Sequence, residues 1–238
     1  MTAIGDWPQA WWCLAAVCAF GLVPMWVAAV SLHAPTAADT AHDPAWVRDH
    51  WPVCRASMRW VLWGYGCFGM GYIGYMTFVI ALLRQQGISD TERTVFYALL
   101  GLCVVASARL WARLLDRHRD GKALAQLNAL LGIATLLAAL TTSVPLLILS
   151  GALFGSVFLS VVASTTAFVR HNLPEPLWVR GIGLFTVVFA WGQIVGPTMV
   201  GLIADGPGGL TVGLLSSAAC LWVGTLLAWR QKSLLPLK

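Results

Sequence analysis

Trp63-Gly64-Tyr65-Gly66-Cys67-Phe68-Gly69-Met70-Gly71-Tyr72-Ile73-Gly74-Tyr75-Met76-Thr77-Phe78-Val79 is an apolar run crowded with glycine and aromatic residues. A helix turning about 100° per residue places Tyr65, Phe68, Tyr72 and Tyr75 on one stripe, because they stand at i, i+3, i+7 and i+10. Gly64, Gly71 and Gly74 occupy a neighbouring face, while Gly66 and Gly69 lie roughly opposite, so other backbones can come close on two sides. Two readings of the rings follow. They face lipid or pack against neighbours, or they line a cavity between helices.

The rest of the chain sets the medium in which that helix stands. Of its 238 residues 58% are hydrophobic and 11% charged, with a mean hydropathy of +0.75, which excludes a soluble domain. Apolar runs of about 20 residues recur, the length that crosses the hydrocarbon as a helix. The alternation of barrel strands is absent. The fold class is therefore all-α, a polytopic membrane protein of about seven transmembrane helices, with spans expected near 9–32, 60–83, 95–115, 123–142, 144–169, 181–204 and 210–229. The chain opens without Lys or Arg, and its first apolar run is too long for a signal peptide, so that run counts as a span. Six cysteines, none in a CxxC pair, read as small core residues.

Basic residues predict the orientation. Thirteen of the fifteen Lys and Arg fall on one side, among them Arg48, Arg55, Arg59, Arg117, Arg119, Lys122, Arg180 and Arg230, and only Arg84 and Arg93 on the other. The positive-inside rule then makes the C-terminus and the long first loop cytoplasmic and the N-terminus external, in a cell inner (plasma) membrane. The net charge of +5 follows from this topology and calls for no nucleic-acid partner.

Residues 33–59 form the one compositional break, a linker in which Pro35, Pro44 and Pro52 oppose a continuous helix. His33, His42 and His50 alternate there with Asp39, Asp43 and Asp49, at a spacing that fits no known ligand pattern; no metal and no cofactor is expected. The third span ends in a basic run where Arg113 and Asp116 stand three residues apart, and Arg109, deeper, is close enough to the end to snorkel, with a substrate-binding charge as the alternative. In the fifth span Gly151 and Gly155 form GxxxG, followed by Ser156, Ser160 and Ser164, a row suited to close helix packing. In the sixth, Pro197 permits a kink, and Thr186, Gln193 and Pro197 share a face. Gln193 is the only amide near the middle of a span. It needs an interhelical partner or a wet cavity.

These residues resemble the C-terminal portion of a major facilitator superfamily transporter of the YbfB/YjiJ branch. Gly64 to Ile73 with Thr77-Phe78 looks like the seventh helix of that branch, and Gly192-Gln193-Ile194-Val195-Gly196-Pro197 with Gly201 looks like its eleventh. Leu115-Asp116-Arg117 with Gly121-Lys122 is similar to the cytoplasmic loop signature of the superfamily, although Ala112 stands where glycine is usual. The resemblance implies one preceding helix (1–32), a cytoplasmic linker (33–59), a six-helix C-terminal half (60–230) and a cytoplasmic tail (231–238). It implies a secondary transporter moving a small solute by alternating access, present here as a partial chain without its first five helices, and unable to transport alone. Tyr65, Phe68, Tyr72, Tyr75, Thr186 and Gln193 would then line the cavity. Gly64, Gly71, Gly151, Gly155, Gly192, Gly196 and Pro197 would serve packing and gating, and Arg113, Asp116, Arg117, Gly121 and Lys122 the loop motif.

Other classes fit less well. A retinal pigment needs an intramembrane lysine, and Lys122, Lys232 and Lys238 lie outside the spans. An intramembrane enzyme needs clustered carboxylates and histidines in the spans, and all five histidines fall outside them. A non-transporting module that self-associates or pairs with another half remains as the alternative.

Overall fold

In hydrocarbon every backbone N–H and C=O must be satisfied within its own segment, so apolar runs of this length become helices. The computed structural model describes residues 7–31 and 44–234. Among them, seven helical segments are long and apolar enough to cross a membrane, one for each span expected from the hydropathy. The first, α1 (Trp7–Ser31), carries Pro24 in its interior and is a unit by itself.

The second unit holds α2 (Pro44–Ser57), α3 (Arg59–Gln85), α4 (Asp90–Leu110), the single-turn α5 (Ala112–Arg117), α6 (Lys122–Leu140), α7 (Val144–Asn172), α8 (Trp178–Ala204) and α9 (Gly209–Trp229). α7 packs between α4 and α6, α9 between α6 and α3, and α8 lies along α3 and reaches α9. α3 is therefore an inner helix. Its two glycine faces meet different neighbours: a Cβ on Gly64 would stand 2.9 Å from the Gly224 carbonyl of α9, and one on Gly192 of α8 would stand 2.9 Å from the Gly66 carbonyl. On the far side of the bundle Gly151 of α7 lies under the Phe96 ring of α4, and Gly155 abuts the Leu100 carbonyl.

Connections are short and capped by local chemistry. Ser89 and Glu92 form a reciprocal capping box at the start of α4, after a turn in which Gly87 takes a positive φ of 74°. Between α6 and α7 the Ser143 N–H donates to Thr141 Oγ1 at 3.1 Å, and Pro145 sits in the first turn, where a missing N–H costs nothing.

One feature differs from the expectation, and one span carries an interruption within its expected length. Within the stretch read as a linker, Pro44–Ser57 is a helix: Pro44 is its first residue, where proline is tolerated, and the segment docks Cys54, Trp46 and Trp51 against the bundle core beside α3 and the turn at Glu175–Leu177. Burial pushes the Cys54 thiol above its usual range. His50 stacks on Trp46 at 4.3 Å and Asp49 pairs with Arg48, while His33, Asp39, His42 and Asp43 lie outside the described residues. The third span, expected at 95–115, runs from Asp90 to Arg117 with one interruption of its helix, at Trp111. Its backbone there (φ −103°, ψ 0°) leaves the helix, and its indole N–H donates to the Ser156 carbonyl of α7 at 2.8 Å.

Gly64→Val puts branched bulk against the Gly224 carbonyl and should lower stability by about 1–3 kcal/mol. Gly183, whose Cβ would meet open space, should accept alanine with no loss. Thermal unfolding of both purified variants in detergent checks the contrast.

Candidate functional site

The aromatic stripe of α3 is buried along its whole length, and its rings stack on phenylalanines of two other helices. Tyr75 lies on Phe154 with centroids 4.0 Å apart, and Tyr72 lies between Phe158 of α7 (5.2 Å) and Phe189 of α8 (5.5 Å). Phe68 stacks on Tyr72 at 4.8 Å. Tyr65 meets Phe185 edge-on and Phe189 face to face. Pairs of this kind contribute about 0.5–1.5 kcal/mol each beyond their area.

Hydrogen bonds tie this column to the neighbouring helices. Ser150 Oγ donates to the Ala134 carbonyl of α6 at 2.7 Å, which leaves its oxygen to accept from the Tyr75 hydroxyl at 2.9 Å. One hydroxyl relay thus joins α3, α7 and α6. One turn along the column Gln193 Nε2 donates to the Tyr72 hydroxyl at 2.5 Å, joining α8 to α3. Gln193, Phe158 and Phe189 are half-buried, so they mark the open edge of the column, between α7 and α8. An amide there has hydrogen-bonding capacity beyond the one bond to Tyr72.

The structure thus brings Tyr65, Phe68, Tyr72, Tyr75 and Gln193 into one continuous group. Thr186 stands apart from it: its side chain is exposed and its hydroxyl returns to the Ile182 carbonyl of its own helix at 3.0 Å. At that level Phe185 and Phe189 fill the side of α8 that faces α3. Pro197 is half-buried one turn beyond Gln193, and Gly192 and Gly196 bring α8 down onto the α3 backbone at Gly69 and Met70.

The loop residues form a separate group at the opposite end of α4 from its capping box. Arg113, Asp116 and Arg117 on α5 are exposed and, among the described residues, enter no ion pair, whereas Lys122 pairs with Asp120 at 3.1 Å. Gly121 is buried and its N–H donates to the Gln231 carbonyl at 3.0 Å; any side chain at this position would strike Ala228 and Gln231.

Several residues in these sites escaped the sequence reading. Phe154/Phe158 and Phe185/Phe189 are both i, i+4 aromatic pairs, a signal that was present and unused. Gln231 is buried, donates to the Ser57 carbonyl at 3.0 Å and accepts from the Val61 N–H at 3.3 Å, closing the junction of α2, α3 and the end of α9. Asn172 does the same for the turn after α5, donating to the Arg119 carbonyl and accepting from the Leu234 N–H, both at 2.7 Å. No periodicity marks either residue.

An all-helical fold of membrane-spanning length, with an aromatic and amide column within its second unit and its arginines at the helix ends, defines a polytopic membrane protein. The chain belongs to the family described as "Uncharacterised MFS-type transporter YbfB", whose model matches residues 2–229. Neither the curated proteins nor the solved structures give a match to it.

The hydroxyl relay yields a ranked outcome. Tyr75→Phe removes one bond and should cost about 0.6–1.7 kcal/mol, whereas Ser150→Ala strands the tyrosine hydroxyl as well and should cost more. Unfolding of the two variants in mixed detergent micelles measures the order.

Proposed function

We propose that the unit from α3 to α9 is one six-helix half of a secondary transporter of the major facilitator type, which moves a small solute by alternating access against a second half. The observation that carries this reading is the Tyr72–Gln193 contact at the half-buried edge of the aromatic column. A glutamine side chain in hydrocarbon is unfavourable unless it is paired or meets a polar ligand, and here one pairing holds it at an edge where a solute can reach the rest of its capacity. The rings beside it, Phe158 and Phe189, give a solute apolar faces to lie on.

The flanking helices support the same assignment. α4 and α8 expose Leu102, Val105, Trp191, Ile194 and Leu202, apolar side chains that need lipid or another protein half to cover them. Among the described residues, no Asp, Glu or Lys stands in the middle of a span, so a carboxylate for proton coupling has to come from the second half. That half is either a separate six-helix segment or a second copy of this chain. Arginine placement supports a cytoplasmic position for the α5–α6 turn and the C-terminus and an external one for the α3–α4 turn, in the inner membrane. Arg59 and Arg230 flank the Trp60 ring at 5.2 and 5.6 Å, and Arg170 lies over Trp178 at 5.1 Å, the cation and indole pairing of a membrane boundary.

Two measurements test the reading. In intact cells, cysteines introduced as Asp120→Cys and Ser233→Cys should react with an impermeant maleimide only after the membrane is opened, and Gln86→Cys without opening; labelling of positions 120 and 233 from opposite sides removes the topology. In proteoliposomes the monomeric chain should accumulate no solute. Across a solute panel, a compound that protects the wild type from thermal unfolding should protect Gln193→Ala at least about tenfold less well, the discrimination given by a lost hydrogen bond in a buried site. Undiminished protection in both Gln193→Ala and Tyr72→Phe rules this edge out as the solute face.

A further inference from the structure

The elbow made by α4, α5 and the start of α6 borders an open cavity of about 540 Å³. Its walls divide by chemistry. Leu110, Trp111 and Leu114 supply an apolar side, Arg113 and Arg117 a cationic one, and His118 and, from α6, Gln126 add polar groups. No carboxylate lines this cavity. An adjoining cavity of about 430 Å³ shares Arg117 and adds Arg119 and Lys122; its one acid, Asp120, is already engaged by Lys122.

We infer that this elbow binds the headgroup of an anionic phospholipid, with the phosphodiester held by Arg113 and Arg117 and the glycerol and upper acyl chain lying against Trp111, Leu110 and Leu114. Arg113 and Arg117 are one turn apart on α5, so their guanidinium groups reach a common point, and each presents a planar fork of donors that matches a phosphate. Neither is consumed by the protein: among the described residues no ion pair takes either one, although Asp116 is adjacent in sequence. Two uncompensated charges over an apolar wall do not suit a soluble anion, which would leave the wall wet. They suit an amphiphile.

The cavity lies at the break at Trp111. The indole is committed to the Ser156 carbonyl, and the residues on either side of the break, Leu110 of α4 and Arg113 and Leu114 of α5, line the cavity together with Gln126 of α6. Leu110 is 61% exposed on the same elbow, and Leu102 and Val105 continue an exposed apolar surface along α4 toward the middle of the span. A lipid seated with its phosphate at α5 therefore has somewhere for its chain to run. Arg113 and Arg117 stand in the last two turns of the span Asp90–Arg117, before the basic turn, and the positive-inside rule puts such an end at headgroup depth.

Native mass spectrometry of the full chain, purified in detergent and titrated with phosphatidylglycerol or chain-matched phosphatidylcholine, tests the site. Wild type should retain phosphatidylglycerol in preference. Arg113→Gln with Arg117→Gln should weaken that retention about tenfold or more, Arg113→Lys with Arg117→Lys should keep part of it, and Lys232→Gln on the tail should leave it unchanged. An unaltered thermal midpoint in lipid-free detergent shows that the double glutamine variant is folded. Equal retention of the two lipids by wild type, or undiminished phosphatidylglycerol binding by the double glutamine variant, overturns the proposal. So does displacement of the bound lipid by millimolar inorganic phosphate, which would make the site one for a free anion.

Discussion

Backbone-to-backbone proximity of α3 with α9 on one side and α8 on the other is the constraint on which the second unit is built. Between helices in lipid there is no gain from moving apolar side chains out of water, so association depends on how closely the surfaces fit and on hydrogen bonds between them. Gly64 against Gly224, and Gly66 and Gly69 against Gly192, remove the side chains that would otherwise hold these helices apart. The same glycines weaken α3 as an isolated helix, which is tolerable because both of its faces are clasped. With two faces given to neighbouring backbones, the bulk of α3 collects on the remaining one, and that concentration is the aromatic stripe.

Hydrogen bonds then fix the register that close fit alone leaves free to slide. Asn128 Nδ2 donates to the Gly64 carbonyl at 3.2 Å, Ser160 Oγ to the Ser107 carbonyl at 3.0 Å, and the Tyr75–Ser150–Ala134 relay spans three helices. Each of these bonds ends at a defined level of the bundle, so a slip of one turn would leave a buried polar group without its partner. The Tyr72–Gln193 bond belongs to the same set but sits at its edge. It is the one in which the donor amide keeps capacity to spare in a half-buried place.

What was legible in the sequence follows the same division between a helix and its surroundings. The spans, the aromatic stripe and the two glycine faces of α3 could be read because each is a property of one helix and its own turn of about 100° per residue. Which neighbours those faces meet was not legible, since periodicity orients a helix about its axis and says nothing of what stands opposite. That is why Phe154, Phe158, Phe185 and Phe189 went unread as partners of the tyrosines. Thr186 and Gln193 share a face by spacing, yet two phenylalanines one turn apart close off the inner side of α8 at Thr186. α2 was obscured by its prolines, one of which occupies the first turn, where its cost vanishes. Gln231 and Asn172 look like surface residues because nothing local marks a side chain whose bridging partners are more than fifty positions away.

The break at Trp111 shows how one such distant contact changes the meaning of the residues around it. Read as a continuous helix, 95–115 would carry Arg109 and Arg113 on the flank of a transmembrane rod, where each would have to snorkel or find an anion within the membrane. The indole bonds the Ser156 carbonyl where α4 stops at Leu110, and after this one-residue interruption the span finishes as α5, so that Arg113 and Arg117 stand in its last turns beside the cavity lined by Leu110, Trp111 and Leu114. The aromatic contact to α7 therefore marks where the helix is interrupted, one turn before the arginines that line the cavity. A charge in the middle of the span would be a cost, whereas two guanidinium groups in its last turns keep their donors free.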